Sequence, residues 1–263
     1  GRFVTGAAAS PDRSYQVNGH LMYLAGPGRY PPVDMVMDRF EQGTTLLFEQ
    51  EVHRGMVVLD IGAHAGYYSL LSARQAGSTG KVYAFEPEPS NHGLLVRNIE
   101  GNGYQNIVTV NKAVTNKVGT STLFVTSLDN GSHSLYQHGL PEDGRIEVET
   151  TTVDAFLELQ GWPSVGLVKL DVEGAESDAL DGMAELFNRS PKLKMIIEFN
   201  PCLLTNAGID PRELIGKLHE GGFNVQKVDE KKGTSAIESA ELVPLVKRLT
   251  KGQGSLNLFC SRQ

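Results

Sequence analysis

Two acidic residues follow apolar segments in the first half of the chain, at a spacing that suits the recognition of a nucleoside. Asp60 ends the apolar run VVLD, and a turn containing Gly62 and Gly66 then leads into the helical sequence YYSLLSAR. Glu86 follows a second apolar run, KVYAF, 24 residues after Gly62. An acid at this position binds ribose hydroxyls in dinucleotide-binding folds, and the amino end of the helix has a positive dipole. The sequence therefore predicts a nucleoside site between the two segments.

The glycine spacing separates two kinds of nucleoside ligand. A dinucleotide fingerprint reads G-x-G-x-x-G, and its second glycine allows the backbone to approach a pyrophosphate closely. Here Gly62 is followed by Ala63, His64, Ala65 and Gly66, so a histidine occupies the place of the second glycine. The pattern favours a nucleoside without phosphates, of which S-adenosylmethionine is the common one. A nicotinamide-dependent oxidoreductase is the disfavoured alternative.

The segment VKLDVEGAE at 168–176 places a second group of carboxylates at the end of an apolar strand. Asp171 would carry its charge at the end of a buried strand, where it needs a partner such as a sulfonium or ammonium group. Glu173 and Glu176 lie at the start of a helix, where each acid stabilises the helix dipole by about 0.3–1 kcal/mol. We expect Asp171 in the ligand site and a structural role for Glu176, with Glu173 open to either role.

Asp171 also belongs to a candidate metal site with Glu198 and Asn200, which lie at or just beyond the end of another apolar segment. Hard oxygen ligands on adjacent strand ends suit Mg²⁺, which would orient the oxygens of a substrate. We favour the alternative without a metal. In that interpretation Glu198 pairs with an internal polar group, and Asn200 and Pro201 begin a turn.

The composition is that of a folded, acidic, globular protein. The 263 residues are 40% hydrophobic and 21% charged, with a formal net charge of −7, which argues against disorder and against a general nucleic-acid binder. Cys202 and Cys260 resemble neither a disulfide framework nor a metal site. No secretion signal and no run of 18 apolar residues is visible, so the sequence predicts a cytoplasmic protein without a membrane span. The oligomeric state has no signature in the sequence.

Apolar and helical segments alternate along the chain, which predicts an α/β fold with a doubly wound, mostly parallel sheet. Residues 1–52 are predicted to form an irregular arm with a short hairpin at Asn18 and Gly19, followed by a helical cap that breaks near Gly43. Residues 53–263 form the main domain. Its predicted strands are 56–60, 82–85, 107–111, 167–171, 195–199, 223–228 and 255–260, and its predicted helices are 67–74, 89–100, 175–188 and 211–221.

An insertion interrupts this alternation at about 119–152. Two β-like runs predict a hairpin, and between them lies a polar loop with the sequence Asn130, Gly131, Ser132, His133 and Ser134. Loops near the carboxyl ends of parallel strands commonly bind ligands, so this loop is a candidate lid or substrate loop. A surface hairpin without function is the alternative.

Four motifs in this order, VVLDIGAHAGYYS, YAFEPEP, TTVDAFL and VKLDVEGAE, closely resemble the FkbM family of S-adenosylmethionine-dependent methyltransferases. The resemblance covers about residues 41–202. It implies the class I methyltransferase fold, a Rossmann-like sheet of seven strands with an antiparallel last strand. It also implies methylation of hydroxyl oxygens on sugars, polyketides and related small molecules.

The resemblance also implies where the cofactor lies. Asp60, Gly62 and Gly66 would surround the methionine part, Glu86 the ribose, and residues 112–114 the adenine. His64 is a departure, because the family commonly has asparagine there. The predicted cofactor-binding residues are Asp60, Gly62, Ala63, His64, Gly66, Glu86, Ala113 and Asp171.

A hydroxyl acceptor requires a base, because an alcohol loses its proton reluctantly. His133 in the polar loop is one candidate, and Asp171 and Glu173 are its rivals. The predicted function is thus S-adenosylmethionine-dependent O-methylation of a saccharide or small molecule, without an obligatory metal. A noncatalytic protein that binds the same cofactor is the remaining alternative.

Overall fold

Strands and helices alternate along most of the chain. The computed structural model describes residues 13–24, 33–126, 131–137, 142–229, 233–237, 239–252 and 254–262. The strands are β1 Ser14–Val17, β2 His20–Tyr23, β3 Val57–Ile61, β4 Lys81–Phe85, β5 Ile107–Val110, β6 Ala113–Val114, β7 Gly119–Val125, β8 Gly144–Thr151, β9 Val165–Leu170, β10 Lys194–Phe199, β11 Asn224–Asp229, β12 Gly233–Ala236 and β13 Leu256–Ser261. The helices are α1 Val33–Val36, α2 Gln42–Glu51, α3 Tyr67–Ala76, α4 Pro89–Asn102, α5 Val153–Leu159, α6 Glu176–Asp181, α7 Ala184–Arg189, α8 Pro201–Asn206, α9 Pro211–Glu220 and α10 Ser239–Gly252.

The central sheet confirms the predicted Rossmann-like α/β class. Its strand order is β12-β11-β13-β10-β9-β3-β4-β5, and β13 runs antiparallel to both of its neighbours. Seven of these strands form the predicted sheet. The short edge strand β12 adds an eighth by pairing with β11. It was not predicted, because its sequence, GTSA, has no apolar alternation.

The path of the chain through the sheet defines where a ligand can bind. It proceeds from β3 through β4 to β5 and then returns to the other side of β3, where β9 lies. Strand order therefore reverses at β3. The crevice at the carboxyl ends of β3 and β9 is the usual binding position in open α/β sheets.

Both faces of the sheet are covered, which explains why its central strands are almost continuously apolar. Leu59, Ile61 and Leu170 face one layer of buried side chains that includes α5 to α9. Val58 and Leu167 face the other layer, which includes α2, α3 and α4. Each large apolar side chain buried in this way contributes about 1.5–3 kcal/mol relative to exposure.

The amino-terminal hairpin is attached to the core by two asparagines of α4. The hairpin predicted at Asn18 is confirmed by the pairing of β1 with β2. Asn102 accepts a hydrogen bond from Leu21 N at 2.9 Å and donates one to Leu21 O at 2.7 Å, and Asn98 makes the same pair of bonds to Tyr23. The two amides thus act on β2 as a neighbouring strand would.

Two predicted helix boundaries are wrong. The helical cap breaks at residues 37–41 and not at Gly43, which lies inside α2. The predicted helix 175–188 is divided into α6 and α7 at Gly182. A Cβ on Gly182 would lie 2.3 Å from the carbonyl oxygen of Thr115, so close backbone packing imposes the break.

The predicted insertion is a hairpin in which β7 and β8 pair antiparallel from Gly119 with Thr150 to Val125 with Gly144. Strand β6 extends it to a small second sheet. Asn130 lies outside the described residues. No helix among the described residues is long and apolar enough to cross a membrane.

We expect His20 to make stability depend on pH. Its side chain is 4% exposed, its Nε2 lies 2.8 Å from the hydroxyl of Tyr104, and burial, assisted by Arg74, lowers its pKa to about 4. The unfolded chain therefore takes up a proton between about pH 6.5 and pH 4 that the folded chain does not, and stability falls as pH falls through this window. The stability difference between the wild type and His20→Gln should shrink from pH 7.5 to pH 4.5 in thermal unfolding.

The matched control is His53→Gln, because His53 is exposed. Its difference from the wild type should stay constant over the same range. A constant difference for His20→Gln as well would contradict the assignment.

Candidate active site

A cavity of about 390 Å³ opens at the carboxyl edge of the sheet, where the order of strands reverses. Its wall combines the ends of β3, β4, β9 and β10 with residues of the amino-terminal cap and of the insertion. The predicted residues that line it are Gly62, Ala63, His64, Glu86, Ala113, His133, Asp171, Glu173 and Glu198. Asp60, Gly66 and Asn200 are not part of its lining.

The turn after β3 uses its backbone N–H groups within the protein. Gly62 N and Ala63 N both donate to Phe85 O, at 3.0 and 2.8 Å, and Gly66 N donates to Ala63 O at 2.8 Å. His64 N donates to Glu86 Oε2 at 2.9 Å. These four groups are therefore not available to a pyrophosphate, which agrees with the glycine spacing and differs from a phosphate-binding loop.

The two glycines of this turn are required by packing within the protein. Gly62 has a φ of +83°, and a Cβ there would lie 1.7 Å from the backbone oxygen of Asp171. Gly66 has a φ of +93°, and its Cβ would lie 2.7 Å from Leu95 Cδ1. Gly62 thus lets the turn touch the end of β9, and Gly66 lets α3 begin against α4. Of these two glycines, Gly62 also lines the cavity and Gly66 does not.

Asp60 lies beneath the cavity. Its side chain is 1% exposed and accepts a hydrogen bond of 2.5 Å from Ser69 Oγ. Burial raises its pKa to about 6, against the Ser69 hydrogen bond and the charge of Lys169, which favour the anion. The carboxylate of Asp60 thus binds Ser69 inside the protein and does not line the cavity.

Glu86 is held at the cavity wall by two backbone groups. Its Oε2 accepts from His64 N at 2.9 Å and its Oε1 accepts from Glu88 N at 3.0 Å. Burial raises the pKa of Glu86 to about 7, although both hydrogen bonds oppose this shift. Each carboxylate oxygen keeps a second acceptor position. The side chain is thus oriented in advance for hydroxyl groups of a ligand.

A buried lysine that the sequence interpretation did not single out lies beside Asp171. Lys169 is 1% exposed, and its Nζ donates to Asp171 Oδ2 at 2.8 Å and lies 5.3 Å from the ring centroid of Tyr68. Burial alone would lower the pKa of Lys169, but the charges of Asp171 and Glu41 raise it. The signal was present in the sequence, because a lysine two residues before an acid shares its face of a strand.

Asp171, Glu173 and Glu198 bring carboxylate oxygens within 4.8 Å of one another. The predicted metal set differs, because Asn200 Oδ1 accepts from Leu203 N at 3.3 Å and caps α8. Burial raises the pKa of Glu198 well above its usual range, and the charge of Asp171 adds to this. Burial alone would also raise the pKa of Asp171, but Lys169 lowers it. The lysine already supplies a cation here, so we invoke no metal.

Glu176 has the structural role expected for it. It is 1% exposed, and its carboxylate accepts from Val172 N at 3.2 Å and from Gly174 N at 3.1 Å. These bonds close the loop between β9 and α6 that carries Glu173. Glu173 itself has a φ of +52°, which is uncommon for a residue with a side chain.

The insertion reaches the cavity through the segment 131–137. Ser134 forms a bridge with Phe124 and donates from Oγ to Glu173 O at 2.6 Å. Tyr136 donates from its hydroxyl to Asp178 Oδ2 at 2.5 Å. These contacts place His133 on the wall that also carries Glu173.

The amino-terminal cap and the start of α3 supply wall residues that the sequence interpretation missed. Phe40, Glu41, Tyr67 and Tyr68 all line the cavity. Glu41 Oε2 accepts from the hydroxyl of Tyr68 at 2.6 Å and from Asn257 Nδ2 at 2.9 Å. No local pattern marks Glu41, because its partners lie 27 and 216 positions away in the sequence.

The chain is similar to several known proteins. The sequence model of the Methyltransferase FkbM domain matches residues 60–225. The hexuronic acid methyltransferase AglP of Haloferax volcanii is 24% identical over 189 residues, which are 72% of this chain and 72% of that protein. Methyltransferase 1 of Beauveria bassiana is 27% identical over 144 residues, which are 48% of this chain and 57% of that protein. A solved SAM-dependent methyltransferase from Aquifex aeolicus aligns over 84% of this chain and 91% of that chain, at 17% identity and a TM-score of 0.45.

We predict that Glu86 makes the binding of S-adenosylmethionine depend on pH. The ionised carboxylate accepts stronger hydrogen bonds than the neutral acid, and its pKa is about 7. The cofactor dissociation constant, measured by calorimetry, should therefore fall as pH rises from 6 to 8.

In Glu86→Gln the dissociation constant should rise by the equivalent of about 1.5–3 kcal/mol at pH 8, and the part of the pH dependence due to Glu86 should vanish. The free cofactor titrates identically in the two experiments, so its contribution cancels when the two profiles are compared. An unchanged profile in the variant would show that Glu86 does not bind the ligand.

Proposed function

The chain belongs to the FkbM methyltransferase family and is an S-adenosylmethionine-dependent methyltransferase, and from this premise we propose that it methylates a hydroxyl oxygen of a saccharide or a related small molecule. When bound, the cofactor supplies a methyl group on a positively charged sulfur. The observation that carries the proposal is the polar part of the cavity wall, which includes His133 and Glu173 and where Ser134 Oγ donates to the backbone oxygen of Glu173.

The side chains that line the cavity suggest where each part of the cofactor would lie. Glu86 suits the ribose hydroxyls, because its carboxylate is already oriented by two backbone groups. Ala113 and Leu123 offer the apolar surface that a purine requires. Asp171 also lines the site, and the carboxylate cluster that it forms with Glu173 and Glu198 would suit the positively charged methionine half.

A hydroxyl acceptor needs a base, and the three candidates differ in their surroundings. Asp171 is bound to Lys169 at 2.8 Å, which lowers its pKa and makes it the weakest base. His133 and Glu173 are the better candidates, and we assign the base to His133 because an imidazole is suited to proton transfer near neutral pH. Glu173 would then orient the acceptor.

Two observations support a saccharide as acceptor. The wall is rich in carboxylates and carries aromatic rings at Phe40, Tyr67 and Tyr68, which is typical of sites for polar ring compounds. The relative from Haloferax volcanii is a hexuronic acid methyltransferase and aligns over 72% of its length. A dinucleotide-dependent oxidoreductase is disfavoured, because the turn after β3 donates its N–H groups internally.

The proposal is tested by incubating the protein with tritium-labelled S-adenosylmethionine and a panel of methyl glycosides. We expect label in at least one glycoside, and blocking of single hydroxyls should identify the methylated oxygen. Binding of the cofactor without transfer to any hydroxyl acceptor would favour the noncatalytic alternative. Transfer to amines alone would overturn the choice of oxygen.

The base assignment predicts that His133→Gln lowers kcat by about 10²- to 10⁴-fold, while the cofactor dissociation constant stays within a few-fold. The acid limb of the pH–rate profile should disappear in His133→Gln and remain in Glu173→Gln. His53→Gln, an exposed position, is the control. Loss of the acid limb in Glu173→Gln alone would reverse the two roles.

A further inference from the structure

A second cavity of about 290 Å³ adjoins the active-site cavity, and Phe40 and Tyr67 belong to the lining of both. The two rings are in edge contact, with centroids 5.2 Å apart and planes at 75°. They therefore form a common wall between the two cavities. The two cavities are therefore adjacent, and a ligand that continued past the edges of these rings would reach the second one.

One short loop contributes to both cavities. In residues 37–41, Asp38 lines the second cavity, Phe40 lines both, and Glu41 lines the active-site cavity. Asp38 and Glu41 have φ values of +53° and +40°. L-residues rarely adopt this conformation, and such strain is concentrated at functional sites.

Positive φ values recur among the residues that line the two cavities. The described part of the chain has six non-glycine residues with positive φ. Five of them line one of the two cavities, namely Asn18, Asp38, Glu41, His64 and Glu173. Asn18 has its positive φ from the tight turn between β1 and β2, and the other four residues belong to the loops that shape the two cavities.

The wall of the second cavity is held in place before any ligand arrives. Thr45 Oγ1 donates its hydrogen to Phe40 O at 3.2 Å. The hydroxyl of Tyr67 lies 2.9 Å from Thr45 Oγ1 and is therefore the donor in the bond between them. Asn18 N donates to Asp38 Oδ1 at 2.6 Å. A wall fixed in this way loses little conformational entropy on binding.

The chemistry of the second cavity matches an uncharged sugar ring. It offers the amide of Gln42 and the carboxylate of Asp38 beside two aromatic rings, a combination that binds polar ring compounds. Among the described residues that line it none is basic, and Glu49 pairs with Arg74 at 3.3 Å. An anionic unit would therefore be repelled by the carboxylate of Asp38, which has no basic residue beside it in the lining.

We propose that the second cavity is a subsite for the neutral sugar unit next to the one that is methylated. The acceptor is then a saccharide of at least two units, bound on both sides of the Phe40 and Tyr67 wall. This inference rests on the proposed function, because it takes the acceptor to be a saccharide.

The test compares each methyl glycoside that is an acceptor with a set of neutral methyl disaccharides. Each disaccharide contains the same acceptor sugar joined to a second neutral sugar, and the set covers the common glycosidic linkages. We expect kcat/KM for the best disaccharide to exceed that for the monosaccharide by at least tenfold. In Gln42→Ala this ratio should fall towards one. Gln42 is the exposed first residue of α2, so the substitution leaves the core intact.

The matched control is Gln50→Ala, because Gln50 is exposed on the same helix and lines neither cavity. It should keep the ratio of the wild type. A ratio near one in the wild type, or equal ratios in the two variants, would overturn the subsite.

Binding separates this inference from the proposed function. On protein saturated with S-adenosylhomocysteine, calorimetry should show tighter binding of the disaccharide than of the monosaccharide, and Gln42→Ala should remove the difference. If no acceptor is methylated, the proposed function fails, and this binding comparison still decides the subsite. Equal binding of the two glycosides, or binding of neither, would overturn it.

Discussion

A single buried ammonium group holds together the carboxylates at the carboxyl edge of the sheet. Lys169 donates to Asp171, lies over the ring of Tyr68, and is attracted by Glu41 and Glu198. Removal of one partner from a buried charge pair typically costs about 3–5 kcal/mol, because the other charge is left uncompensated. The negative wall of the active site is therefore stable only around this lysine.

The same interaction joins the amino-terminal cap to the catalytic domain. Tyr68, which contacts Lys169, donates its hydroxyl to Glu41 in the strained loop between α1 and α2. Asn257 on the last strand binds the same oxygen of Glu41. Three distant parts of the chain thus meet at one carboxylate. These polar contacts add to the apolar packing of α2 against the sheet and fix the part of the cap that lines the cavity.

The strands whose carboxyl ends line the cavity were predictable, because the sequence patterns that mark them are local. Strands β3, β4, β9 and β10 begin and end within two residues of their predicted limits, since each is an apolar run bounded by polar residues. Glu86 and Asp171 were placed at the cavity because the carboxyl ends of parallel strands meet at one edge. Strand β12 and the division at Gly182 were missed, because edge pairing and a contact with Thr115 leave no pattern in the nearby sequence.

The sequence by itself determined the family, the sheet and the side chains available at its carboxyl edge. Only the tertiary structure decided how they are used. Asp60 lies beneath the cavity, where the Ser69 hydrogen bond and the charge of Lys169 offset the cost of burying its carboxylate. Gly62 is needed because the turn touches the backbone of Asp171. Glu41 is held at the cavity wall by hydrogen bonds from residues up to 216 positions away in the sequence. Burial and contact depend on what the fold brings together, so neither is visible in the spacing of residues along the chain.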